Sequence, residues 1–256
     1  MAVCHVALAQ SPDARPIMKQ VYEKEASRNI YMRANFETYD KQGHANKKAF
    51  IYRRIGGSAD RKTLLVFTAP EEIRGVKLLS INQQGNGQRQ YVYTPATQRV
   101  RNVVTQEQSA RFLGTDFTFE DVGEHVLDDF SYRLIEQGEV MENHKTYKVE
   151  ARPVDASRSQ YKFIYYWIVQ DAPVILHEEL YDAQGREVRV LHSTNIRSVS
   201  GVSGARHTEM RTVADGTRTV LTIDEVKFDG KMDATLFEPE RLDAANIPIN
   251  NDLLGR

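Results

Sequence analysis

Several groupings in this 256-residue sequence have residue types that could do chemistry, and each lacks a partner its chemistry needs. His207-Thr208-Glu209 puts a histidine and a glutamate on one strand face, like the first half of a zinc-deaminase motif. The second half needs paired cysteines, and none follows Cys4. His177-Glu178-Glu179 splits its side chains between opposite faces of a strand and is no H-E-x-x-H helix. Gly201-Val202-Ser203-Gly204 is one residue away from a nucleophile elbow, and Gly85-Asn86-Gly87 lacks the third glycine and following helix of a dinucleotide fingerprint. Both read as turns. Asp116 with Glu120 or Asp121 could pair carboxylates for acid–base work, but the Thr118-x-x-Asp121 spacing is a helix-capping signature. The expectation is a protein that is not an enzyme, with no catalytic residue, no metal site and no cofactor.

The same carboxylates belong to an unusual block. From Phe112 to Val122, Phe112, Phe117 and Phe119 stand beside Asp116, Glu120 and Asp121, and the block follows no single repeating period. Thr118 is placed to cap the free amides of a short helix, with Asp121 near the positive end of its dipole. An apolar and acidic interruption between strand-like runs reads as a lid over an apolar hollow that shifts as a unit, its carboxylates capping backbone.

The elements that must position this block are mostly strands. The run Asp13 to Ser27 has helical spacing, with Ile17 and Val21 on one face and Lys19, Glu23 and Lys24 on another. Elsewhere alternation predicts strands over 29–39, 48–55, 62–69, 75–82, 90–94, 132–140, 145–153, 160–169, 174–181, 187–195, 206–213 and 217–228. Tight turns at Gly85-Asn86-Gly87, Glu142-Asn143, Ala183-Gln184-Gly185 and Asp215-Gly216 join neighbours into an antiparallel meander. The expected fold is mainly β with a few helices: a single strongly curved antiparallel sheet of about 11–12 strands, forming an unclosed barrel with a helical lid.

Composition narrows the partners. With 34 basic and 35 acidic residues, formal charge −1, there is no electrostatic case for nucleic acid. One cysteine excludes an internal disulfide. Ala7-Leu8-Ala9 before Gln10 has the form of a signal cleavage site, although a basic n-region is missing. Residues 1–9 are therefore read as the remnant of a secretory signal peptide, 10–245 as the barrel domain and 246–256 as a polar tail. No apolar run reaches the ~18 residues of a spanning helix.

Residues 90–122, QYVYTPATQRVRNVVTQEQSARFLGTDFTFEDV, resemble the signature of the outer-membrane lipoprotein-sorting proteins of the LolA-like superfamily (LolA, LolB and RseB type). In that family a Tyr-x-Pro strand leads to a Phe-Met-Gly-Ser-Asp-Phe lid. Other pieces follow in order: Phe67-Thr68-Ala69-Pro70 with Arg74-Gly75, Tyr165-Tyr166-Trp167-Ile168, Glu179-Leu180-Tyr181-Asp182 with Gly185, Thr219-Val220-Leu221, and Leu236-Phe237 with Pro239. The match spans roughly residues 29–242. Leu113 and Thr115 depart from the usual Met and Ser, and the turn from Trp167 to Pro173 looks about two residues short.

The resemblance implies a periplasmic carrier that holds a lipid, or the acyl chains of a lipoprotein, and exchanges it with an inner-membrane transporter of the resistance-nodulation-division (RND) type. Stable membrane insertion is not expected. The residues expected to line the hollow or its mouth are Phe67, Tyr91, Tyr93, Phe112, Leu113, Phe117, Phe119, Tyr165 and Trp167, with Gly114, Asp116, Glu120 and Asp121 in the lid. The alternative is an envelope sensor of the RseB/MucB type that reads lipid or binds an anti-sigma factor. An outer-membrane barrel fits worst, because Arg53, Arg54, Arg99, Arg101 and Arg189 would place charge in hydrocarbon.

Overall fold

Strand alternation is realised as one antiparallel sheet of thirteen strands in the computed structural model, which describes residues 12–24, 28–57, 60–83, 87–123 and 125–243. The first meander runs β1 (Ile30–Tyr39), β2 (Ala45–Ile55), β3 (Lys62–Ala69), β4 (Lys77–Gln83), β5 (Gly87–Thr94) and β6 (Arg99–Asn102). The second runs β7 (Phe130–Met141), β8 (His144–Pro153), β9 (Phe163–Val169), β10 (Ile175–Tyr181), β11 (Glu187–Val199), β12 (Val202–Thr212) and β13 (Thr217–Phe228). Hydrogen-bonded order is β6-β5-β4-β3-β2-β1-β13-β12-β11-β10-β9-β8-β7, so β1 and β13 weld the two meanders and β6 and β7 are the edges. The sheet is not closed into a barrel.

All twelve expected strands are present. The thirteenth, β6, was not foreseen, since Arg99-Val100-Arg101-Asn102 has one apolar residue and no room for alternation. Turn chemistry is as expected where it is described: Glu142 and Asn143 both have positive φ, as a tight primed hairpin requires, and Gly185 and Gly216 do the same. Of Gly85-Asn86-Gly87 only Gly87 lies within the described residues, as the first residue of β5. Ser200 and Gly201 form the β11–β12 turn, while Val202 to Gly204 already belong to β12. The leading helix, α1 (Arg15–Glu23), is shorter than the 13–27 expected, and residues 25–27, 1–11 and 244–256 lie outside the described residues. Among the described residues no helix is long and apolar enough to cross a membrane.

One face of the sheet carries the main core. Ala34, Phe36, Phe50, Phe67, Val92, Val149, Ile164, Tyr166, Leu180 and Met210 contribute to it, and Ala14, the residue before α1, and Met18 of α1 pack onto it. The opposite face of β3 to β5 holds a smaller core, where Leu64, Val66 and Leu79 are covered by Phe237 and Leu242 from the chain after β13. Both parities of Leu64-Leu65-Val66-Phe67 are thus buried, each against a different segment.

Candidate functional site: the lid across the sheet opening

Residues 103–129 connect β6 to β7, the two edges, so this connection must cross the gap between them. It contains the block Phe112 to Val122. A 3-10 turn, Phe112–Gly114, opens it, with Leu113 at φ 47° and Gly114 at φ 74°. A glycine takes that conformation freely, but a leucine does so at a cost of about 1–2 kcal/mol, so the tip is a strained local fold held by its surroundings. The short helix α2 (Phe119–Val122) follows, and its capping box is formed as the sequence predicts. Asp121 N donates to Thr118 Oγ1 (3.3 Å), and Thr118 N to Asp121 Oδ2 (2.7 Å).

The phenylalanines join the lid to the sheet through successive ring contacts. Centroids lie 5.4 Å apart for Phe117–Phe36, 4.8 Å for Phe36–Phe50, 5.8 Å for Phe50–Phe67, 5.7 Å for Phe67–Phe112 and 5.3 Å for Phe112–Phe119. Offset and edge contacts of this kind add about 0.5–1.5 kcal/mol per pair beyond area burial. Phe67, Phe112, Phe117 and Phe119 therefore lie in one row of rings, with Leu113 packed against the same core. Phe36 and Phe50 complete the row. They were missed because single phenylalanines in alternating strands carry no signal of their own.

The other four expected lining residues point the other way. Tyr91 and Tyr93 pack in the smaller core, since Val92 between them takes the inner face. Tyr165 and Trp167 lie outside because Ile164, Tyr166 and Ile168 take the inner parity. There Trp167 donates to Glu139 Oε2 (2.7 Å), and the Lys148 ammonium sits 4.2 Å from its ring centroid. Neither pair lines the hollow beneath the lid.

The lid carboxylates do more than cap. Asp116 is buried, and its carboxylate accepts from the hydroxyls of Thr212 (2.6 Å), Thr217 and Thr219 (2.7 Å) at the β12–β13 hairpin, with Arg111 Nη2 at 3.3 Å. Glu120 accepts from Gln160 N (2.9 Å) and the Ser159 hydroxyl. Of the three, Asp121 alone caps α2, and it also accepts from the Tyr161 hydroxyl (2.7 Å). Burial first, then the charge of Asp121, push Tyr161 well above the ordinary tyrosine range, which keeps it a donor. Arg189 closes the set, donating to the Asp116 carbonyl (3.1 Å), Gln160 Oε1 (3.1 Å) and the Tyr161 oxygen (3.2 Å). The lid is latched, where the sequence reading had a segment that shifts at modest cost. The pairings of Arg189 were not foreseen because each joins distant parts of the chain.

Among the described residues, two cavities flank the lid. One of about 600 Å³ lies at the open seam between the ends of β5 and β8, with mixed charges including Arg15, Lys19, Glu23, Glu120, Asp129 and Arg158. The other, about 300 Å³, lies under the lid against Phe117, Leu180, Leu191 and Met210, and Glu178 faces it. Burial and then the charge of Asp121 push the Glu178 carboxyl up to about 8. His177 and Glu179 face the other side, as alternation predicts, 3.7 Å apart. Glu209 is bound by Arg211 and Arg218, and His207 contacts Thr222, so the deaminase-like pair has local partners instead. No group of three or more potential metal ligands exists among the described residues.

A family model described as an uncharacterized protein matches residues 59–244. The chain belongs to that family, and its fold is LolA-like. Among solved structures it is similar to a domain from Vibrio parahaemolyticus described as an outer membrane lipoprotein-sorting protein (19% identity, TM-score 0.84, 90% of this chain and 97% of that one). A DUF1329 family protein from Desulfovibrio piger is as similar (21%, TM-score 0.84, 90% and 97%), and a LolA superfamily protein from Nitrosomonas europaea follows (16%, TM-score 0.72, 89% and 98%). No protein of curated function matches the sequence.

Two outcomes follow for this LolA-like chain. Asp116→Ala leaves the hydroxyls of Thr212, Thr217 and Thr219 without their carboxylate, while Arg111 keeps Asp215 (2.6 Å), and is expected to cost about 1–3 kcal/mol in urea denaturation. Thr212→Val, which leaves two hydroxyls on the carboxylate, should cost less; equal costs would mean that Asp116 is not the latch. Glu178, raised in the native state, is protonated there but ionised in the unfolded chain between pH ~4.5 and ~8. Folding then takes up a proton, so stability should fall as pH rises through that window and level off above it. A Glu178→Gln variant should show a flatter profile, and superimposable profiles would refute the assignment.

Proposed function

We propose that the protein is a non-enzymatic carrier of the periplasm that shelters acyl chains, of a lipid or a lipidated protein, between the inner face of its sheet and the lid. The observation that supports this most is the unbroken row of phenylalanine rings from β1–β3 into the lid, beside a latch made of side-chain hydrogen bonds. Rings that pack on one another can pack around a chain once the latch opens, and the latch bonds can be replaced by water. The family resemblance suggests loading or unloading by an RND-type inner-membrane transporter.

Magnitudes agree with a carrier's needs. Burying a chain of about fourteen methylenes at ~0.8 kcal/mol each is worth ~11 kcal/mol gross. Association costs of several kcal/mol and the work of displacing the lid leave moderate affinity, enough to shield a chain and still release it.

Native mass spectrometry with organic extraction of the purified protein should find an apolar guest. Replacing Phe117 and Phe119 together by Ala should speed release of a fluorescent fatty acid at least about tenfold, a loss of roughly 1.4 kcal/mol in retention. The carrier reading fails if no lipid co-purifies and no fatty acid binds saturably.

A further inference from the structure

The cavity under the lid is not uniformly apolar. Leu180, Leu191 and Met210 form one wall, whereas Glu178 turns its carboxyl into the space from between its cross-strand neighbours Tyr166 and Leu191. The tyrosine hydroxyls of Tyr22 (α1), Tyr132 (β7) and Tyr166 (β9) cluster near it. No described residue hydrogen-bonds the Glu178 carboxyl in the closed structure. Glu178 is half-buried at the cavity wall, and a pocket that only held hydrocarbon would gain more from a Leu or Met at 178, which would extend the wall already there.

The surrounding charges restrict what could meet it. Asp121 faces Glu178 from the lid, with its oxygens held by Tyr161 and Thr118, so a carboxylate or phosphate brought beside Glu178 would add like charge at a roof that is already negative. His125 borders the cavity, and Arg54 and Arg61 line it where β2 and β3 begin to meet α1. Arg61 Nη2 is engaged by the Tyr22 carbonyl at the end of that helix (3.1 Å). Asp121 is the charge that bears on Glu178, after burial, while Arg61 bears on the neighbouring Tyr22.

We propose that this cavity seats the uncharged polar linkage of an acyl ligand, an ester or amide, against the Glu178 carboxyl, with the chain running over Leu180, Leu191 and Met210. An ester carbonyl accepts the hydrogen bond that a carboxylic acid at 178 donates, and an amide can also return one through its N–H. The inference rests on the carrier reading and adds the class of ligand: O-acyl or N-acyl compounds in preference to free fatty acids or hydrocarbons.

The test is displacement of a fluorescent acyl probe from the full chain at pH 6.5 by four competitors of equal chain length: methyl ester, primary amide, carboxylate and alkane. Ester and amide should displace the probe about tenfold better than the alkane, and better than the carboxylate. In Glu178→Leu that advantage should vanish while the alkane still competes, and Glu178→Gln should keep it. Ester and alkane competing equally in the wild type, a carboxylate competing best, or an advantage that survives Glu178→Leu would each overturn this inference and leave the carrier reading standing. Absence of any saturable probe binding would instead remove the carrier reading, and this inference with it. The wild-type series decides the matter even where a variant fails to fold.

Discussion

The structure depends on one constraint: two antiparallel meanders share a single weld, β1 to β13, and their far edges never meet. Every other connection is a hairpin between sheet neighbours. The link from β6 to β7 has no neighbour to follow and must cross from edge to edge. A chain crossing an apolar face has to bury its own apolar side chains and satisfy its own backbone. Residues 103–129 do both, presenting Phe112, Phe117 and Phe119 to the sheet, while Phe112 N bonds the Phe117 carbonyl and Phe119 N the Ala110 carbonyl.

Apolar and polar halves of the lid therefore have different work. The rings fill the space, and the three carboxylates decide where the lid rests: Asp116 on the threonines of β12–β13, Glu120 on the backbone before β9, and Asp121 on its own helix and Tyr161. Hydrogen bonds of this sort contribute modestly in net terms but are costly to leave unmade, which favours one closed position over many. The ring contacts, being non-directional, can be remade with a ligand. That combination gives the segment one resting position set by directional bonds and packing that is non-directional, the two properties on which the proposed carrier role rests.

Much of this was legible from residue order. Alternation located all twelve long strands, and the broken period at 112–122 located the lid, because both are local patterns. The Thr118–Asp121 box was readable for the same reason. Parity failed at Tyr91, Tyr93, Tyr165 and Trp167, where both faces are covered and hydrophobicity no longer marks the inside. On β5 the cover is the segment ending in Leu242; on β9 the outer aromatics pack on one another and under Lys148. Arg189 entered the sequence reading only as a charge unsuited to hydrocarbon, and Glu178 only as one of three alternating residues. Their roles depend on contacts across 73 residues to Asp116 for the first, and on the cross-strand pairing with Tyr166 for the second. The one local hint was that Glu178 shares strand parity with core Leu180.

The central claim is that the lid lifts from the sheet when a chain is bound. Amide hydrogen exchange, followed with and without a saturating acyl ligand, reads it directly at Asp116, whose N–H is held by Thr219 Oγ1 at 2.8 Å, and at Phe112. The account predicts that both lid amides lose protection on loading while amides of β1 and β13 keep theirs. Saturable binding with protection of Asp116 and Phe112 unchanged would contradict it.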